Sequence, residues 1–144
     1  MKKILFLCTG NSCRSQMAEG FCKHYHAGVY ECFSAGIEAH GLNASAVAVM
    51  NEVGIDISDQ KSKTVAQLPD VEFDYVVTVC GDADENCPFF PAKTKKLHIG
   101  FDDPAKHQND MPDDQKMAVF RRVRDEIRQM VLNLPKLLSG DEKK

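Results

Sequence analysis

The apolar run Ile4-Leu5-Phe6-Leu7 stops at a cysteine, and the segment it leads into, Cys8-Thr9-Gly10-Asn11-Ser12-Cys13-Arg14-Ser15, constrains the chain more than any other stretch. A short hydrophobic run followed by small polar residues reads as a buried strand entering a tight loop. Beyond the loop, Met17, Ala18, Phe21, Cys22 and Tyr25 recur at helical spacing, with Gly28 as a stop. The loop therefore delivers its amides to a helix N-terminus, where free N–H groups and the helix dipole favour an anion. The same field and the Arg14 guanidinium favour thiolate over thiol at Cys8. Arg14 is also suited to a tetrahedral oxyanion, which it can hold by two parallel hydrogen bonds. A structural loop around an inert buried cysteine is the competing reading.

At 144 residues the chain suits one domain, 1–144, with 139–144 read as a solvated tail. The net charge of −3 gives no sign of a nucleic-acid binder. No apolar run is long enough for a membrane span. Lys2-Lys3 before an apolar run and a cysteine resembles a lipoprotein signal, but the run is only four residues. It reads instead as the first strand of a cytoplasmic protein. In that compartment six cysteines point to catalysis, metal binding or core packing rather than a disulfide framework.

Val29 to Ser34, closed by Gly36, reads as a second strand, and Asn43 as the cap of a helix ended by Gly54. Residues 55–72 read as loop with at most a short helix. Tyr75 to Val79 is a third strand, also stopping at a cysteine, Cys80; Lys96 to Ile99 is a weaker fourth. A long helix starts near Asp113 with Met117, Phe120, Val123, Ile127, Met130, Val131 and Leu134 on one stripe, and Pro135 ends or kinks it. Strands alternating with helices imply an α/β fold with a parallel sheet. Ligands of such sheets sit beyond the strands' C-terminal ends. Cys8 and Cys80 are thereby expected at one cleft, though 72 positions apart.

Cys80 and Cys87 frame Gly81-Asp82-Ala83-Asp84-Glu85-Asn86, whose acids would repel an oxyanion. A resolving or relay pair fits this segment. As a regular helix it would span about 10.5 Å, beyond the reach of a disulfide, so pairing requires a loop or unwinding. Half of a zinc site, with His98 as one further ligand, and a pair of inert core cysteines are the alternatives. Cys22 and Cys32 fall on apolar patterns and read as core. Cys13 packs within the anion loop. Asp103, beside Pro104, is either a general acid for a departing oxygen or an Asp-Pro turn. The histidines show no metal pattern and are expected at the surface.

Cys8 to Gly20, Ser34 to Glu38, Cys80 to Pro88 and Gly100 to Pro104 together resemble the thioredoxin-coupled arsenate reductases, which share the low-molecular-weight tyrosine phosphatase fold. The resemblance covers nearly the whole chain. It implies a four-stranded parallel sheet flanked by helices, and arsenate bound by the amides of Thr9, Gly10, Asn11, Ser12 and Cys13 together with Arg14. It further implies Cys8 as nucleophile, Ser15 stabilising its thiolate, and Asp103 protonating the departing hydroxyl. A Cys8–Cys80 disulfide then forms and gives way to Cys80–Cys87, which thioredoxin reduces with thioredoxin reductase and NADPH. No bound cofactor or metal is implied, and a monomer is expected. Some relatives bind potassium through residues matching Asn11, Glu19 and Ser34 plus a carboxylate; Lys63 stands in that last place, and its ammonium is expected to replace the ion. Where phosphatases of this fold place an aromatic residue after the Asp-Pro pair, this chain has Ala105. A phosphatase needing only Cys8, Arg14 and Asp103 is the alternative function, and a non-enzymatic thiol sensor or metal-binding regulator a remote third.

Overall fold

The structure is a computed structural model that describes residues 1–81, 93–107 and 111–140. Ile4, Leu5, Phe6 and Leu7 are fully buried in β1 (Lys2–Cys8), as expected of a strand covered on both faces. On one side β1 pairs in parallel with β2 (Tyr30–Gly36), in a register that sets Cys8 beside Gly36. On the other side it pairs with β3 (Tyr75–Thr78), which pairs in turn with β4 (Lys95–His98). The sheet order is β2-β1-β3-β4, all parallel. Chain order reverses between β1 and β3, so the crevice beyond their ends lies between the segments carrying Cys8 and Cys80.

Helix α1 (Arg14–Tyr25) begins directly after the loop, and its residues Ser15 to Cys22 are all buried, polar Ser15, Gln16 and Glu19 included. Gly28, at φ +83°, lies in the turn that follows rather than ending the helix directly. Helix α2 (Ala44–Glu52) is capped by the Asn43 side chain, which accepts from the N–H groups of Ser45 and Ala46. Helix α3 (Asp113–Leu132) buries Phe120, Val123, Ile127, Met130 and Val131 as its stripe indicates. It also buries Arg124, which donates to the Val49 carbonyl (3.0 Å) and pairs with Glu52 (2.8 Å). His26, expected at the surface, bonds the Val131 carbonyl at 2.7 Å and ties the end of α1 to α3. Among the described residues no helix is long and apolar enough to cross a membrane.

Several expected boundaries move. β2 runs on through Gly36 because its pairing with β1 continues to Cys8. β3 ends at Thr78, two residues before Cys80, and β4 starts at Lys95. Pro135 kinks rather than ends the helical segment. α3 stops at Leu132 and a short helix, α4 (Leu134–Gly140), follows with Pro135 in its first turn, where its missing N–H costs nothing. Ser139 and Gly140 are thus helical and not tail, held by burial of Leu134 and Leu138. Residues 141–144 lie outside the described residues.

Cys22 and Cys32 are buried as expected, but they are not separate core thiols: they form a disulfide joining α1 to β2, with Cα atoms 6.3 Å apart. Each apolar pattern announces burial, and only the packing of α1 on β2 makes the two cysteines partners. Closing a loop of this length stabilises by about 2–3 kcal/mol in the chain-entropy description. Cys32→Ala is therefore expected to unfold at lower urea than the unsubstituted protein without reductant, its unfolding free energy lower by about 2–3 kcal/mol. Dithiothreitol should remove most of the difference; a gap of equal size with and without it would mean that the bond contributes nothing.

Candidate active site

The loop's backbone carbonyls all face outward to fixed donors. Cys8 O accepts from Ile37 N (3.1 Å), Thr9 O from Glu38 N (2.9 Å), and Gly10 O from His40 N (2.9 Å) and the Ser62 hydroxyl (3.1 Å). Asn11 O accepts from Gln16 Nε2 (3.1 Å), and Ser12 O from Asn43 N (3.0 Å). In a trans peptide the N–H points opposite to the C=O, and the chain contains no cis bond among the described residues. With carbonyls 8 to 12 turned outward, the N–H groups of Thr9, Gly10, Asn11, Ser12 and Cys13 turn inward. Arg14 opens α1 directly behind them, adding the positive end of the helix. Such a concavity of amides selects an anion.

Gly36 makes this geometry possible. A Cβ there would lie 2.3 Å from Glu38 O and 2.8 Å from both Asn11 N and Thr9 O, all backbone atoms with little room to yield. The end of β2 can approach the loop only as glycine.

The resulting cavity, about 510 Å³, is lined by Cys8, Thr9, Gly10, Ser12, Cys13 and Arg14. Asp103 and Ala105 contribute from the segment after β4, and His40 with Leu42 from that after β2. Cys8 is buried at the cavity floor. Its sulfur is 2.8 Å from the Ser15 hydroxyl and accepts the Asn11 N–H at 3.2 Å. The Asn11 amide is thus directed at the nucleophile candidate, and Asn11 is not among the cavity-lining residues. Arg14 is nearly buried; it donates to the Phe101 carbonyl (3.0 Å) and lies 3.8 Å from Asp103 Oδ2. Guanidinium and carboxyl group thereby reach the cavity together, and Asp103 also accepts the Ala105 N–H at 3.0 Å in a local turn.

Cys80 is buried, with its sulfur 3.1 Å from the Thr9 hydroxyl, so it adjoins the residue following Cys8. Cys87 and the expected mobility of its segment lie outside the described residues. His98, considered as a zinc ligand, bonds the Thr78 hydroxyl at 2.8 Å, and no metal-binding cluster occurs among the described residues.

The Glu19 carboxylate is buried behind the loop, where it accepts from Ser34 Oγ (2.5 Å), pairs with Lys23, and has Lys63 Nζ at 3.9 Å. Burial lowers the Lys63 pKa, Glu19 opposes that and Lys23 adds to it. Two ammoniums thus neighbour this single carboxylate. The sequence reading missed Gln16, Gln60 and Ser62 behind the loop and His40 at its mouth, because isolated polar residues carry no periodic signal.

The sequence pattern of the low molecular weight phosphotyrosine protein phosphatase family matches residues 3–144. The arsenate reductase of Shouchella clausii (strain KSM-K16) is 59% identical over 126 residues, covering 88% of this chain and 89% of that protein. Among solved structures, an arsenate reductase in its oxidized state superposes with a TM-score of 0.79 at 35% identity, covering 93% of this chain and 96% of the other. A low molecular weight protein tyrosine phosphatase from T. tengcongensis gives 0.75 at 26% identity, covering 94% and 99%.

Of the loop's two cysteines, Cys8 has both the Ser15 hydroxyl (2.8 Å) and the Asn11 N–H (3.2 Å) at its sulfur, whereas Cys13 has the Ser12 hydroxyl at 3.7 Å. Burial pushes the Cys13 thiol up to about 12, with Asp103 and Cys8 adding to the rise and the Ser12 hydroxyl offsetting part of it. A raised value means that Cys13 stays protonated across the neutral range and ionises only as the pH approaches that figure. Iodoacetamide at pH 7.5, read by peptide mass spectrometry, is expected to label Cys8 and spare Cys13 in the folded protein. Equal labelling of the two would contradict this assignment.

Proposed function

This chain belongs to the low molecular weight phosphotyrosine protein phosphatase family, and from that premise we propose that it is an arsenate reductase working by a thiol relay. The observation that carries the reading is the second thiol: the buried Cys80 lies against Thr9, the residue that follows Cys8 in an oxyanion loop whose floor is Cys8. A hydrolase has no use for it. The identity with curated arsenate reductases supports the same substrate.

In the proposed reaction, arsenate sits among the inward amides, with Arg14 neutralising its charge. The Cys8 thiolate, receiving hydrogen bonds from Ser15 and the Asn11 amide, attacks arsenic. Asp103 gives its proton to the departing hydroxyl, which leaves as water. Cys80 then attacks the Cys8 sulfur; the sulfur–arsenic bond breaks, its electron pair stays on arsenic, and arsenite departs. The Cys8–Cys80 disulfide is attacked at Cys80 by Cys87, which frees Cys8 as thiolate. The dithiol of thioredoxin reduces the resulting Cys80–Cys87 bond, so no bound cofactor is required. Phosphate-ester hydrolysis is the second reading, favoured by the structural likeness to a tyrosine phosphatase and by the sufficiency of Cys8, Arg14 and Asp103 for it.

Arsenate-dependent NADPH oxidation with thioredoxin and thioredoxin reductase tests the proposal. The unsubstituted protein should turn over, whereas Cys87→Ser should stop after one cycle as a Cys8–Cys80 disulfide. Absence of arsenate turnover, with ester hydrolysis indifferent to Cys87→Ser, would instead identify a phosphatase.

We also propose that Lys63 makes a potassium ion unnecessary, supported by its place beside Glu19. Exchanging potassium for sodium at equal ionic strength should leave the steady-state rate unchanged. Stimulation by potassium would count against that role for Lys63.

A further inference from the structure

Gln16 follows Ser15 on α1, is fully buried, and takes no part in the reaction described above. Its carboxamide orientation is fixed. Gln60 Nε2 donates to Gln16 Oε1 (2.8 Å) and to the Gln16 carbonyl (3.0 Å), which leaves Gln16 Nε2 facing the other way. There it meets three oxygens: Asn11 O (3.1 Å), Asn11 Oδ1 (3.0 Å) and Lys61 O (3.0 Å).

These bonds settle the direction of every proton as far as the sulfur. Asn11 Oδ1 also receives the Lys63 backbone N–H at 2.9 Å, and a backbone N–H can only donate. The atom between those two donors is therefore the oxygen, which turns Asn11 Nδ2 toward Ser15 Oγ (2.8 Å) and Ser34 Oγ (3.0 Å). Because an amide nitrogen only donates, Ser15 Oγ accepts from it. The single Ser15 proton is then available for the Cys8 sulfur, 2.8 Å away. Asn11 is meanwhile the one non-glycine residue with positive φ (+49°) among the described residues, a conformation that costs energy and persists only where its surroundings hold it. Its own N–H donates to the same sulfur at 3.2 Å.

We propose that Gln16, clamped by Gln60, is a positioning residue: it holds Asn11 in its left-handed conformation and so aims both the Asn11 N–H and the Ser15 O–H at the Cys8 sulfur. Donors directed at a sulfur favour its charged form. The inference rests on reading Cys8 as the nucleophile, and it is indifferent to which oxyanion is attacked and to what reduces the enzyme.

The test is the pH dependence of Cys8 alkylation by iodoacetamide in the full chain, with Cys8 followed by peptide mass spectrometry. Gln16→Met keeps the side-chain length and removes the donor. It should slow alkylation at pH 7 by roughly 3- to 10-fold, the worth of one hydrogen bond. The rate should recover at alkaline pH, so that the whole profile moves upward without losing its plateau. Gln60→Met, at a less enclosed site, should move the profile in the same direction by less, and it serves if Gln16→Met fails to fold. In a Ser15→Ala background, Gln16→Met should add much less than it does alone.

A profile that keeps its position while the melting temperature falls would make Gln16 a packing residue and overturn the proposal. Equal effects with and without Ser15 would overturn the route through the hydroxyl. If Cys8 of the unsubstituted protein proved no more reactive than Cys13, the nucleophile reading itself would fail. A reactive Cys8 insensitive to Gln16 and Gln60 would sink the positioning role alone.

Discussion

Everything at the mouth of this sheet depends on where the carbonyls of residues 8 to 12 find their hydrogen bonds. A buried carbonyl without a partner costs about 1–3 kcal/mol. A loop that turned its carbonyls outward without donors to meet them would therefore fold back on itself. Here the donors come from three places: the segment after β2 supplies the N–H groups of Ile37, Glu38, His40 and Asn43, the stretch after α2 supplies the Ser62 hydroxyl, and α1 supplies Gln16. Once the carbonyls are committed, planar trans peptides leave the amides no choice but to face inward. The anion site is the other side of a hydrogen-bonding pattern built for the loop's exterior.

That arrangement explains why the start of α1 carries buried polar groups at all. Ser15, Gln16 and Glu19 are enclosed where an ordinary helix would place apolar residues. Each is engaged: Ser15 with Cys8, Gln16 with Asn11, and Glu19 with Ser34, Lys23 and Lys63. An enclosed carboxylate is costly unless it is paired and hydrogen-bonded. At Lys63 the two opposing influences are visible together, since burial lowers its pKa while Glu19 pulls the other way. Desolvation wins there because a separation of 3.9 Å to one carboxylate gives back only part of what a half-enclosed ammonium loses. The helix thus contributes its dipole, its guanidinium and a polar interior to one loop, and leaves the sheet's packing to Met17, Ala18, Phe21 and Cys22.

What the sequence revealed follows from which forces are local. The strand of Ile4 to Leu7, the cap at Asn43 and the stripe on α3 each depend on neighbours a few residues away, and each is found where the pattern places it. The meeting of Cys8 and Cys80 segments needed only the rule that parallel strands end on one edge. Strand ends were less legible: β3 stops before Val79, and β2 runs on to Gly36, because pairing partners set those limits. The helix of Leu134–Gly140 hid behind a proline that is harmless in a first turn. Least legible was whatever joins distant positions through polar side chains. Nothing at Gln60 indicates that it faces Gln16, and nothing in the apolar patterns of Cys22 and Cys32 indicates a bond between them.

The same reasoning bears on how one fold can serve two chemistries. An amide-lined loop with a cysteine and an arginine stabilises charge on any tetrahedral oxyanion, so it cannot by itself decide between hydrolysis and reduction. The decision lies in what comes next to the nucleophile after the first attack. Water arriving at a thiol ester of phosphate gives a phosphatase; a second sulfur arriving at Cys8 draws the bond's electrons onto arsenic. Thr9 lies between these outcomes in space as it does in sequence. Its amide turns into the anion cavity while its hydroxyl touches the Cys80 sulfur at the end of the neighbouring strand segment. The adjacency of β1 and β3 is what places that second sulfur against the residue after Cys8. In the proposed relay, then, the sheet order selects the reaction and the loop selects the substrate.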